Sequence, residues 1–114
     1  MDRKQKNPAD IFEKVMKYVD ENYAKPLKII DIAESFFVNP AYLGQLFIKR
    51  KNVSLNHYIN SVRIEKSKEL LANTGLKIYE IAVRTGFGDP NYFSAKFVEY
   101  TGKSPSEYRN SLSP

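Results

Sequence analysis

The chain has 114 residues, 42% of them hydrophobic, no cysteine and a net charge of +5. That length supports one modest core or two closely joined lobes. The lack of cysteine excludes a disulfide framework and a thiolate metal site, and the basic balance points weakly toward a polyanionic partner.

The opening residues, MDRKQKNPAD, are charged and carry no apolar run, so no signal peptide is expected. No stretch approaches the length of a membrane span, and a cytoplasmic protein is the expectation. Residues 1–8 read as a polar lead-in, a solvated tail or a linker from a larger protein rather than a basic arm. Asn7 and Pro8 then start a helix: a short polar side chain caps orphan N–H groups, and proline is pre-set for the first turn. Ile11, Phe12, Val15, Met16, Val19 and Tyr23 form its apolar stripe, and Lys25-Pro26 ends it.

A second helix is predicted over 27–37, with Ile29, Ile32 and Ala33 inward and Asp31 placed in the first turn to suit the helix dipole. Phe36, Phe37 and Val38 turn the chain to Asn39-Pro40, another capped start. Over 40–51, Leu43, Leu46 and Phe47 share one face and must be buried. Ala41, Gly44, Gln45 and Ile48 share the opposite face, followed by Lys49, Arg50 and Lys51. Gly44 costs about 1 kcal/mol relative to alanine inside a helix, so it is either tolerated or kept for a close backbone approach. The helix closes at Asn52, which accepts left-handed geometry.

A long helix follows over 54–73, buried through Leu55, Tyr58, Ile59, Val62, Leu70 and Leu71. Its roughly 18 helical residues span about 27 Å at 1.5 Å each. Arg63 is expected to brace the junction between two lobes. After a turn at 73–75, helix 78–85 places Ile78, Ile81 and Ala82 inward. Gly86 ends it and Phe87 plugs the core. Over 90–101, Tyr92, Phe93 and Phe97 are predicted inward, with Asn91, Ser94, Ala95 and Val98 outward. Ser104-Pro105 starts a last short helix carrying Tyr108 and Arg109.

This order contains a repeat. Pro40, Tyr42, Leu43 and Phe47 return fifty residues later as Pro90, Tyr92, Phe93 and Phe97. Upstream, Ile29, Ile32, Ala33 and Val38 return as Ile78, Ile81, Ala82 and Phe87 at an offset of 49, so the second turn is one residue longer. The small Ala33 and Ala82 let two helices approach closely. Two helices joined by a short turn, in two copies, is the helix-turn-helix pattern. The predicted architecture is all-α, about seven helices, with two homeodomain-like lobes at 9–53 and 74–110. The connecting helix at 54–73 joins them, and 111–114 is a tail.

In a helix-turn-helix the second helix enters the major groove of DNA. Gln45 and Asn91 are the long amides on the predicted faces and could pair with adenine, while Ala41 or Ala95 could meet a thymine methyl. Lys49, Arg50, Lys51, Lys96 and the helix starts at Asn39 and Asp89 are the phosphate candidates. A stiff connecting helix could hold two such probes near one duplex turn apart, about 34 Å. No catalytic constellation stands out. The only histidine, His57, has Ser61 at i+4, which supplies neither a metal ligand nor an acid–base group, and no Gly-rich phosphate loop follows a strand.

The segments IIDIAESFFVNPAYLGQLF, YINSVRIEKSKELL and IYEIAVRTGFGDPNYFSAKFVEYTGKSPSEYR resemble the DNA-binding domain of AraC/XylS-type bacterial transcription regulators over residues 9–110. The resemblance implies seven helices and two reading helices set into successive major-groove turns on one face of the duplex. By position it implies base contacts from Ala41, Gly44 and Gln45, and from Asn91, Ser94 and Ala95. NPAYLGQLF and KIYEIA look most like the output domain of two-component response regulators, whose receiver domain this chain lacks. Double-stranded DNA is the implied partner, RNA polymerase a further one, with no cofactor or metal and a monomeric domain. The chain departs from the family at Ile48, Val98 and Glu99, where basic residues are common, and mildly at Asn52 and Ser67. Two readings of other classes stay open: a helical protein-interaction module docking through Ile48 and Val98, and a small enzyme.

Overall fold

The computed structural model describes residues 7–113, so the charged lead-in at 1–6 and Pro114 lie outside the described residues. Among the described residues seven α-helices follow one another: α1 (Pro8–Asn22), α2 (Ile29–Ser35), α3 (Pro40–Lys51), α4 (Leu55–Asn73), α5 (Ile78–Arg84), α6 (Pro90–Thr101) and α7 (Pro105–Ser111). There is no strand among the described residues.

The helix ends follow from local chemistry. The Asn7 side-chain oxygen accepts the Ala9 N–H at 2.9 Å, and the Asn39 oxygen accepts those of Ala41 at 2.7 Å and Tyr42 at 3.3 Å. Asp89 accepts the Tyr92 N–H at 2.9 Å. At α7, Ser104 and Glu107 cap each other: the Ser104 N–H donates to Glu107 at 2.8 Å, and the Glu107 N–H donates to Ser104 at 3.1 Å. Asn52 and Gly102, fifty positions apart, both take left-handed geometry, with φ of 62° and 85°. Helix α2 is shorter than the predicted 27–37. Lys28 is still extended, and Phe37 turns left-handed with φ of 58°, so neither end can continue the helix.

The repeat is a structural one. The turn before α3 covers four residues, 36–39, and the turn before α6 covers five, 85–89. In each, one amide returns to the small alanine of the preceding helix: Val38 N–H donates to Ala33 O at 3.0 Å, and Gly88 N–H to Ala82 O at 2.9 Å. Position 37 corresponds to position 86, where Gly86 has φ of 95°. The first copy asks a phenylalanine to hold what glycine holds in the second, and the Phe37 side chain is 75% exposed.

The chain divides into two compact units, one running to Ile59 and the other starting at Asn60, so the boundary falls within α4. In the first unit α1 and α2 pack on α3. Ile11, Val15, Val19, Ile32, Ala33, Leu43, Phe47 and Leu55 are buried there. The Phe47 ring lies 5.0 Å from Phe12 and 5.4 Å from Tyr58. Burial of one such ring contributes about 1.5–3 kcal/mol. The Tyr58 hydroxyl donates to Asp20 at 3.0 Å, tying α4 to α1. Burial, then the neighbouring Asp20 carboxylate, push the Tyr58 phenol up to about 12.

The second unit is built on Ile64, Leu71, Ile81, Ala82, Phe87, Phe93 and Phe97, with Tyr108 packed against them. Phe93 sits 5.2 Å from Phe87 and 5.8 Å from Phe97, and Tyr108 meets Phe97 edge-on at 5.5 Å. Phe87 plugs the core as expected. Sequence periodicity missed two buried members of α4, Ile64 and Ser67. The fully buried Ser67 hydroxyl donates to the Ile64 carbonyl at 2.7 Å, so it is satisfied without leaving its helix. The buried Thr85 hydroxyl does the same with Ile81, also at 2.7 Å. Arg63, expected at the lobe junction, lies over the Phe87 ring of its own unit at 6.0 Å.

Candidate nucleic-acid interface

Helix α3 presents the face the sequence laid out. Leu43, Leu46 and Phe47 are buried, while Ala41, Gln45 and Ile48 are exposed. Gly44 is half-covered. A β-carbon there would meet the Ile29 side chain at 3.6 Å, an ordinary contact, so packing inside the protein does not require glycine. Gln45 lines a cavity of about 380 Å³ together with Pro8, Tyr42, Leu46, Lys49 and Arg50. Sequence reasoning had not placed Pro8 or Tyr42 beside Gln45. The i, i+3 spacing of Tyr42 and Gln45 was the available signal for one of them.

Lys49, Arg50 and Lys51 form the last turn of α3 and are all exposed. Arg50 reaches over the Phe12 ring at 5.8 Å, and Lys51 over Tyr58 at 5.7 Å. Both long side chains are thereby steadied with their charged ends at the surface. A basic last turn also complements the negative end of the helix dipole.

Helix α6 repeats the plan with different charge. Phe93 and Phe97 are buried, Asn91, Ala95 and Val98 are exposed, and Ser94 is half-buried. Tyr92, expected inward, is 46% exposed. It flanks the Phe87 plug at 6.0 Å rather than entering the core, because Phe87 and Phe93 already fill that space. The Lys96 ammonium lies 5.8 Å from the Tyr92 ring centre and 3.2 Å from a Glu99 carboxylate oxygen. The hydrogen bond from Lys96 to Glu99, with the carboxylate's charge, raises the lysine pKa. The last turn of α6 carries no basic residue.

The side-chain oxygens of Asn39 and Asp89 are both engaged as caps on their own helix starts. Among the described residues no group of three or more His, Cys, Asp or Glu side chains is placed to hold a metal ion. No helix among them is long and apolar enough to cross a membrane. What the two faces offer is recognition chemistry: amides, small side chains and a hydroxyl in front, with cations at one helix end.

A family model described as a helix-turn-helix domain matches residues 32–111. YijO of Escherichia coli K12, an uncharacterized HTH-type transcriptional regulator, is 42% identical over 99 residues, covering 87% of this chain and 35% of the relative. The chain spans about a third of the length of the curated relatives it matches. Among solved structures, the C-terminal domain of AraT, a response regulator from Geobacillus stearothermophilus, superimposes with a TM-score of 0.86 at 33% identity. It covers 89% of this chain and 84% of that one. The C-terminal domain of the two-component response regulator yesN from Fusobacterium nucleatum gives 0.81 at 35% identity, covering 85% and 95%.

Proposed function

The chain belongs to the AraC-type helix-turn-helix family, and from that premise we propose that it binds double-stranded DNA sequence-specifically to regulate transcription. The observation that supports this most is the repeated outward face. Corresponding stretches of α3 and α6 bury matched apolar positions, Leu43 with Phe93 and Phe47 with Phe97, and expose short or amide side chains at the same turns. This favours DNA over the protein-interaction module, whose docking face would not need short and amide side chains on the same turns of two helices. The family is a DNA-binding one rather than an enzyme family.

Each reading helix enters a major-groove segment with its first turns toward base edges. Gln45 and Asn91 read adenine, and Ala41 and Ala95 meet thymine methyls. Gly44 and Ser94 sit between them, where their small size admits the base edges. Lys49, Arg50, Lys51 and Lys96 hold phosphates, while Asn39 and Asp89 keep the Ala41, Tyr42 and Tyr92 N–H groups of the helix starts for their own caps. The likeness to AraT and yesN supports an output-domain role in a two-component response regulator, with a receiver domain as partner. RNA polymerase is the further partner such a role calls for, the domain acts as a monomer, and the cytoplasm is where it meets its operator.

Selection of bound duplexes from a random pool tests the reading. A defined consensus is expected, and Gln45→Ala should relax it at one position with a loss of about 1–3 kcal/mol there. An unaltered consensus would remove Gln45 from the readers.

A further inference from the structure

We propose that Glu99 is a specificity-determining residue: by holding Lys96 it restrains the sequence-independent attraction of the second unit for DNA phosphates. The inference rests on the reading that α6 faces duplex DNA. It starts from the repeat. Position 99 corresponds to position 49, so the site that carries Lys49 in α3 carries Glu99 in α6. The partner positions of Arg50 and Lys51 are Tyr100 and Thr101. Helix α3 therefore ends on three cations, whereas α6 has one cation, Lys96, and places a carboxylate 3.2 Å from it.

The geometry makes this a held pair rather than a chance meeting. Lys96 sits one helical turn from both partners, its ammonium 5.8 Å from the Tyr92 ring on one side and hydrogen-bonded to Glu99 on the other. An exposed i, i+3 pair adds little to stability, so its larger consequence falls on what approaches the surface. A phosphate arriving at α6 meets a lysine already engaged and a carboxylate within a Debye length, roughly 8 Å at physiological salt. Sequence-independent affinity grows with the number of phosphates neutralised, and specificity is the ratio of cognate to sequence-independent binding. Muting one phosphate contact in the second unit lowers the denominator of that ratio, and the numerator falls by less because base contacts also hold α6 on the selected duplex. Asn91, Ser94 and Ala95 are left to discriminate, while the first unit supplies the charge.

The test compares the unaltered chain, Glu99→Gln, Lys96→Ala and the double variant. Each is titrated with the selected duplex and with a shuffled duplex, over a range of salt. Glu99→Gln is expected to tighten binding to the shuffled duplex about 3- to 10-fold, and by less to the selected one. Its salt slope should steepen by about 0.9, the value of one phosphate. With Lys96→Ala in place, most of that gain should vanish. Unchanged affinity and slope in Glu99→Gln would overturn the proposal, and so would a gain of full size without Lys96. If the unaltered chain shows no salt-dependent affinity for any duplex, the DNA reading itself falls and this inference with it. Binding by the unaltered chain, with no response to Glu99→Gln, removes the inference alone.

Discussion

Replacing Arg109 with alanine is expected to destabilise the second unit by about 2–4 kcal/mol in urea unfolding, one of the two largest effects the structure implies. The guanidinium of this α7 residue donates to three carbonyls: Nε to Leu71 at 3.1 Å, Nη1 to Leu76 at 2.8 Å and Nη2 to Thr74 at 3.2 Å. These carbonyls belong to the last turn of α4 and the connection into α5, where helical partners run out. A charged hydrogen bond of this kind contributes about 1.5–3 kcal/mol net when well shielded, and Arg109 is half-buried, so the sum is discounted. Arg109→Lys should recover less than half of the loss, because an ammonium on a flexible stem does not present three donors in a fixed plane. A full recovery would mean that charge alone holds the turn. An unchanged unfolding midpoint in Arg109→Ala would mean that water replaces the side chain without cost.

Removing Lys49 and Arg50 together should weaken duplex binding by about 2–4 kcal/mol at low salt and reduce the magnitude of the salt slope by about 1.8, or two phosphates. Lys96→Ala should change the slope far less. The asymmetry follows from the helix ends: α3 finishes on Lys49, Arg50 and Lys51, whereas Lys96 is hydrogen-bonded to Glu99. Binding titrations across a salt series read both quantities. Because Arg50 also lies over Phe12, a melting curve of the double variant separates lost packing from lost phosphate contacts. Equal slopes for the two sets of variants would contradict the division of labour between the units.

The parts of the fold that were legible in the sequence are those decided locally. Asn7, Asn39, Asp89 and Ser104 announced their helix starts because a cap needs only a short polar side chain and two or three neighbouring N–H groups. The outward faces of α3 and α6 were legible because helical period and an internal repeat agreed. Arg109 was not, because its carbonyl partners lie 33 to 38 residues away and share no spacing with it. Ser67 was read only as a mild substitution; its hydroxyl is satisfied inside its own helix, which leaves no pattern outside it. Tyr92 was misplaced because period puts it on the inner edge of α6, and only the packing of Phe87 and Phe93 decides that the core is already full there. The pairing of Lys96 with Glu99 is visible as an i, i+3 spacing, but spacing alone does not show that the two side chains meet.

Guanine methylation protection on the selected duplex is the most direct measurement, because it reports occupancy of the major groove at each guanine N7 in and beside the contacted segments. Two separate protected segments are expected. Gln45→Ala should expose the guanines of one of them and Asn91→Ala those of the other, each leaving its neighbour intact. A single protected segment, two segments that respond to the same variant, or no protection above background would contradict a domain that reads DNA with one helix from each unit.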